Sequence, residues 1–378
     1  MKVLLIARTY IVKINQKKIQ ELALYPDIEI KVIVPQIWQE AVHPRLVAEN
    51  PSTRDFIFCP MPTLFTGEGG RYLYRTLDLS IRKFKPDIIQ VEEDTRGLTV
   101  FQAAFYKKIW APKAKFIPFT WANIETPLFK PLYCFEKFTL SQADSIICGN
   151  TDAARNIRRK GFARPVHIIP QLGIDMDFFK FRDASQLRNN LHLSPQCFVI
   201  GFAGRMVKEK GPLLLIDSVA QLKGDWVLLM IGNGPEREEI SRRALILGIA
   251  DHIRMIAPVP HYELAKYFNV MDVLVSPSIS TPVWKEQFGL VVAQAMSSQV
   301  PVVGSTCGET PNLIGEAGLI FPEGDTVTLT NHLSRLQDDK TLRINLGKLG
   351  VERIKNYYSF NKIAAQTYQV WRDLYYGN

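Results

Sequence analysis

Short runs of valine, isoleucine and phenylalanine, each too apolar for a sheet with one wet face, alternate with longer amphipathic stretches along this 378-residue chain. Such an alternation constrains the fold severely, because parallel strands need long crossovers and helices are what usually supplies them. Residues 2–6, 28–34, 55–58, 88–91, 116–119, 145–148 and 166–169 read as strands, with helices at 15–24, 69–84, 97–109, 131–141 and 150–160. Both faces of the resulting sheet must be covered by helices.

The alternation lapses between Pro170 and Ser185, where Gly173, Asp175 and Asp177 supply turn chemistry. It resumes with strands at 198–203, 227–231, 253–256, 273–276, 301–304 and 318–321, and helices near 211–223, 235–247, 261–268, 288–298, 326–337 and 340–355. Two α/β domains of Rossmann-like type are therefore predicted, 1–172 and 186–358, which suits a chain too long for one core. In open sheets of this kind ligands lie beyond the carboxyl ends of the strands, so two such domains are expected to face each other across a cleft. Residues 359–378 read as an amphipathic helix whose Tyr368, Trp371 and Tyr375 have to dock on something.

Apolar residues make up 47% of the chain, enough to fill both cores, and no polar or Gly/Ser tract suggests a disordered arm. The apolar stretches at 226–231 and 288–296 fall short of the roughly 20 residues of a spanning helix. The first six residues read as a buried strand rather than a signal peptide, since Arg8, Lys13, Lys17 and Lys18 follow without a cleavage site. Five scattered cysteines without a C-x-x-C pair read as reduced thiols, and hence as a cytoplasmic protein. A net charge of +9 favours acidic partners, whether nucleic acid, lipid headgroups or phosphorylated substrates.

The first segment with chemistry runs from Gly201 through Gly204, Arg205, Lys210 and Gly211 to Pro212, leaving a strand and opening a helix. Its cations bracket a helix mouth whose N–H groups already favour an anion, so a diphosphate fits; two solvated cations on a plain turn are the competing reading. The spacing matches neither a Walker A loop nor the dinucleotide G-x-G-x-x-G, which argues against an ATPase or a dehydrogenase. The second segment runs from Ser276 through Glu286, Phe288, Gly289 and Leu290 to Met296, a loop leading into a helix apolar nearly all round. Glu286 stands at that helix mouth, placed either to accept from sugar hydroxyls or merely to cap the helix.

Arg205 with Lys210, then Glu286-Gln-Phe-Gly and a polar residue at 294, resembles the donor site of glycosyltransferase family 4, whose fold is GT-B. Gly232-Asn-Gly234-Pro235, Met271–Ser278, Pro301–Gly304 and Gly308-Glu309-Thr-Pro311 are similar to the same family, so the likeness spans roughly residues 145–325. It implies two Rossmann-like domains, with a C-terminal helix packed back on the first. It also implies metal-independent, retaining transfer of a sugar from a nucleoside-diphosphate sugar, with no cofactor. On that resemblance Arg205 and Lys210 neutralise the leaving diphosphate and Glu286 orients the donor sugar. Gly204, Gly232, Gly234, Phe288, Gly289, Leu290, Gln294, Gly308 and Glu309 would line the donor pocket.

Two departures stand out. Gln294 occupies the place of a second family Glu that commonly holds the ribose, and an uncharged amide there is expected to cost about 1 kcal/mol of affinity. The first half lacks the Gly-rich turn and the histidine of many relatives. Arg8, Tyr10, Glu92, Trp121 and Asn123 become the acceptor-side candidates, with a solvated loop as the competing reading for Glu92, Glu93 and Asp94. None of the six histidines sits in a metal-binding motif, so no metal site is expected. The acceptor is expected to be a saccharide or lipid-linked saccharide. Basic clusters at Arg155–Lys160 and Lys107–Lys115 read as solvated helix faces or as peripheral membrane contacts, and the segment 61–74 as an acceptor loop or a membrane contact. Nucleic acid is not an expected partner. The alternatives are a catalytically silent sugar-nucleotide-binding protein and a nucleotide-sugar epimerase of the same fold.

Overall fold

The computed structural model describes residues 1–39, 45–65, 67, 70–125 and 130–377. His43 and residues 66, 68 and 69 of the 61–74 segment lie outside them. The chain divides into two compact units, Met1–Gly173 with Phe360–Asn378, and Ile174–Ser359.

The first unit is a parallel sheet of β1 (Lys2–Ile6), β2 (Glu29–Pro35), β3 (Ile57–Met61), β4 (Ile88–Val91), β5 (Lys115–Thr120), β6 (Ile146–Cys148) and β7 (Val166–Ile168), in the order β7-β6-β5-β4-β1-β2-β3. Alternate residues of β1 feed opposite cores, as a period of two dictates. Leu4 and Ile6 join Ile33 and Val91 on one face, while Val3 and Leu5 join Val32 and Ile117 on the other. The helices α1 (Lys17–Ala23), α2 (Leu77–Phe84), α3 (Leu98–Trp110), α4 (Lys130–Gln142) and α5 (Thr151–Arg159) supply the crossovers.

The second unit has β8 (Phe198–Ala203), β9 (Trp226–Ile231), β10 (Ile253–Ile256), β11 (Val273–Ser276), β12 (Val302–Ser305) and β13 (Gly318–Phe321), ordered β10-β9-β8-β11-β12-β13 and again all parallel. Its helices are α6 (Ser185–Asn190), α7 (Pro212–Val219), α8 (Arg237–Ile246), α9 (His261–Phe268), α10 (Leu290–Ser297), α11 (Thr310–Ile314), α12 (Thr326–Asp338) and α13 (Lys340–Arg353). In each unit the first strand lies between the second and the fourth, so each has a topological switch point, where ligands of such sheets bind.

The last helix, α14 (Phe360–Tyr376), belongs to the first unit. Its Ile363, Val370 and fully buried Trp371 complete the core beneath Val3 and Leu5. The Trp371 indole N–H donates to Gln90 Oε1 at 2.6 Å, and Tyr368 stacks on Tyr25 at 3.7 Å.

Three readings of the sequence are corrected. The helix expected at 69–84 forms only from Leu77; before it, Leu73–Tyr74 pairs antiparallel with Thr63–Leu64, because Gly70 at φ +77° and the aromatic residues suit a hairpin better than a helix. The strand expected to stop at 58 continues to Met61 through Pro60. It is the edge strand of the sheet, where a residue without an N–H is tolerated. Ser185–Asn190, which begins at the last residue of the irregular stretch and lies in no predicted element, is a short helix.

Candidate functional site

At the switch point of the second unit, the loops after β8 and β11 bring two of the three predicted residues, Lys210 and Glu286, into contact. Lys210 follows β8 and Glu286 follows β11; the ammonium donates to Glu286 Oε2 at 2.5 Å. It also lies 4.8 Å from the centre of the Trp284 ring, a cation–π contact that fixes its direction. Ser278 Oγ lies 3.4 Å from the same carboxylate oxygen. Glu286 is 9% exposed, whereas the Arg205 side chain is 68% exposed and reaches only Glu209, at 3.8 Å. Lys210 is thus held in place, while Arg205 is a cation on a loose tether.

Backbone geometry sets Glu286. Gly308 adopts φ +56°, and a Cβ there would come within 2.1 Å of the Glu286 carbonyl oxygen. That oxygen accepts from the N–H of Glu309 at 3.0 Å. Gly308 and Glu309 therefore act by locking the Glu286 loop to the mouth of α11. Phe288 is buried against Tyr358, Gly289 is the N-cap of α10 at φ +86°, and Leu290 is the first, partly exposed residue of that helix.

Beside Arg205 is a hollow of about 310 Å³, lined by Gly204, Gly232, Asn233, Pro258, Val259 and Val291 among others. It is apolar on most sides and of a size for a flat heterocycle. Gly232, at φ +141°, is required by its neighbour, since a Cβ would stand 2.0 Å from the Gly204 oxygen. Gly234 likewise lets its loop close on Met206, whose carbonyl accepts from Glu236 at 3.0 Å.

Gln294 departs from its expected placement. It is 3% exposed, and its amide N–H donates to His261 Nε2 at 2.8 Å. An amide nitrogen can only donate, so His261 is neutral with its proton on Nδ1. Partial burial against Phe178 and Phe179 lowers the His261 pKa, with Asp175 opposing, and the start of α9 also disfavours a cation there. Gln294→Glu is expected to keep donor turnover within a few-fold while making stability pH-dependent. The new carboxylate would raise the His261 pKa, so the pair stabilises below about pH 6.5 and is lost as pH rises through the raised value. The stability deficit against the parent should widen by about 1–2 kcal/mol between pH 5 and pH 8 in parallel thermal melts. A constant deficit would refute the pairing.

The acceptor-side candidates fare differently. Glu92 and Tyr10 are interior residues: Glu92 takes Lys18 Nζ at 2.6 Å, the Tyr10 hydroxyl at 2.6 Å and the Gln90 amide at 2.7 Å, with a side chain 0% exposed. They are structural, because β4 turns Glu92 inward. The next residue faces the other way and is buried as well. Glu93 accepts from the Arg8 backbone N–H at 2.9 Å and the Tyr72 hydroxyl at 2.8 Å, and burial pushes its carboxyl above the usual range. The Arg8 guanidinium lies over Trp38 at 4.7 Å. Trp121 donates to Gln171 at 3.2 Å, and Asn123 is buried one turn beyond β5. The sequence points to Arg8, to Glu93 and to the 61–74 segment that carries Tyr72, but not to Trp38, which lies in a stretch without a motif.

Two Rossmann-like units of this topology define a GT-B protein with a basic and acidic pair at the switch point of its second unit. Residues 197–339 match the family described as glycosyl transferases group 1. The D-inositol 3-phosphate glycosyltransferase of Mycobacterium marinum is 30% identical over 183 residues, 47% of this chain and 38% of that protein. The enzyme of the same name from Corynebacterium efficiens is 32% identical over 187 residues, 47% of this chain and 43% of that one. The chain thus spans less than half the length of either relative. Among solved structures, sucrose-phosphate synthase from Thermosynechococcus elongatus shares the fold over 100% of both chains, with a TM-score of 0.72 and 18% identity. Anabaena HepE, solved with UDP, does so over 99% of this chain and 100% of its own, at 0.73 and 16%.

Proposed function

We propose that this chain is a glycosyltransferase that moves a sugar from a nucleoside-diphosphate sugar onto a saccharide or lipid-linked acceptor, with retention and without a metal. The convergence of Lys210, Glu286, Ser278 and Trp284 beside a helix mouth carries the reading, and the match of residues 197–339 to glycosyl transferases group 1 supports it. The nucleobase enters the hollow beside Arg205. The diphosphate takes over the charge of Lys210, freeing Glu286 to accept from sugar hydroxyls, and Arg205 closes on the outer phosphate. In the transfer the bond from the anomeric carbon to the diphosphate oxygen breaks while that carbon bonds the acceptor oxygen on the same face. The acceptor proton passes to the departing phosphate oxygen. Charge on the leaving group is met by Lys210, which is held in place, and by Arg205, which swings in, the kind of electrostatic help that dominates such reactions.

Among the described residues no cluster of three or more His, Cys, Asp or Glu is arranged to hold a metal, so the proposal gives charge neutralisation to Arg205 and Lys210. Among the same residues no helix is long and apolar enough to cross a membrane, and we place the enzyme at the cytosolic face as a peripheral protein. A panel of UDP-, GDP- and ADP-sugars tests the reading by thermal shift and donor hydrolysis. One donor at 100 times its Kd should stabilise the protein by about 2.7 kcal/mol and be slowly hydrolysed. Stabilisation without hydrolysis or transfer would favour a silent binding protein. No stabilisation by any member would sink both.

A further inference from the structure

A second cavity lies in the first unit. A groove of about 750 Å³ runs between α4 and α5, bordered by the chain after β4 and β5. Its floor is apolar, formed by Ile124, Leu140, Phe162 and Ala163, with a 57% exposed Tyr133 along one wall. Its rim carries Arg96, Lys137, Arg159, Lys160 and Arg164, against which stand only two carboxylates.

Both carboxylates are already engaged. Glu136 is buried and holds Lys160 at 2.7 Å and the Thr95 hydroxyl at 2.9 Å, and Glu125 lies 3.7 Å from Arg159. Arg164 directs its guanidinium at the carbonyls of Ser141 and Ala143. Arg96 is likewise paired, with Asp94 at 3.3 Å, so the rim holds a surplus of two positive charges above an apolar bed. A neutral apolar ligand would leave those charges unused, and a small anion would leave the bed wet. We propose that this groove binds a phosphoryl-headed amphiphile, its phosphate on the Lys137, Arg159 and Arg164 rim and its hydrocarbon chain along Leu140 and Phe162. Guanidinium groups suit such a head because their N–H forks match phosphate oxygens. The volume lies within the range of ordinary small-molecule sites.

The site is confined to the first unit, so its test is independent of donor binding in the second. The full chain is titrated calorimetrically with dodecyl phosphate below its micellar concentration, with inorganic phosphate, and with dodecyl maltoside. Dodecyl phosphate is expected to bind one to one, at least tenfold tighter than either control. The double variant Lys137→Glu/Arg159→Glu should weaken that binding at least tenfold, and Ala163→Trp, which fills the bed from an exposed position, should weaken it similarly. Both should melt as the parent does and keep its donor hydrolysis. Equal affinity for inorganic phosphate or for the maltoside would overturn the proposal, as would indifference to both variants. Binding seen only with vesicles of phosphatidylglycerol and phosphatidylcholine, and not with the monomeric phosphate, would mean adsorption to a bilayer and would overturn it too.

Discussion

Glu286→Ala is expected to lower kcat/KM for sugar transfer by about 10²–10³-fold, the usual cost of removing one preorganised polar contact from a transition state. The fold should survive, because the loop around residue 286 is held by backbone bonds to Glu309 and not by the carboxylate. The carboxylate is 9% exposed and 2.5 Å from Lys210, so its removal also releases the cation from its fixed position over Trp284. Lys210→Ala should therefore cost a similar factor, and the double variant little more than either single one, because the two act as a unit. Steady-state kinetics on the donor identified by the panel, with melting curves alongside, decide the matter. Near-normal turnover of Glu286→Ala at unchanged stability would remove the assignment of the sugar-orienting role.

The largest loss of stability should come from Lys18→Met. Lys18 is 2% exposed and pairs with a Glu92 side chain wholly shielded from water. Deleting one member of such a pair typically costs about 3–5 kcal/mol, since the other is left buried and charged. The Tyr10 hydroxyl and the Gln90 amide still donate to Glu92, but neither carries charge. Adding Glu92→Gln to Lys18→Met should restore most of the loss, a double-mutant cycle readable by urea denaturation. A single-variant cost below about 1 kcal/mol would show that water reaches the pair.

How much of this was legible depends on how local the signal is. The donor segments could be read because each is one contiguous strand, loop and helix mouth, so Arg205, Lys210 and Glu286 announce their placement within a few residues. Lys18 and Glu92 could not, since 74 residues separate them and a charged residue on an amphipathic helix reads as solvated. Glu92 and Glu93 differ only in the face to which the strand end turns them, which sequence alone leaves open by one residue. Gln294 was assigned by its spacing from Glu286, yet its partner His261 comes from another helix. Of the cations around the α4–α5 groove, Arg159 and Lys160 were visible as part of a cluster; Lys137, Arg164 and the apolar bed were not, because they come from separate stretches of chain.

The hydrogen-bonded series from Trp371 through Gln90 and Glu92 to Lys18 has a temporal meaning as well. A nascent chain that has left the ribosome as far as residue 359 can finish its continuous second unit, but the first still lacks the aromatic wedge that closes its interior. The unit made first is thus the last to mature, and until then its exposed sheet face is a natural client for chaperones.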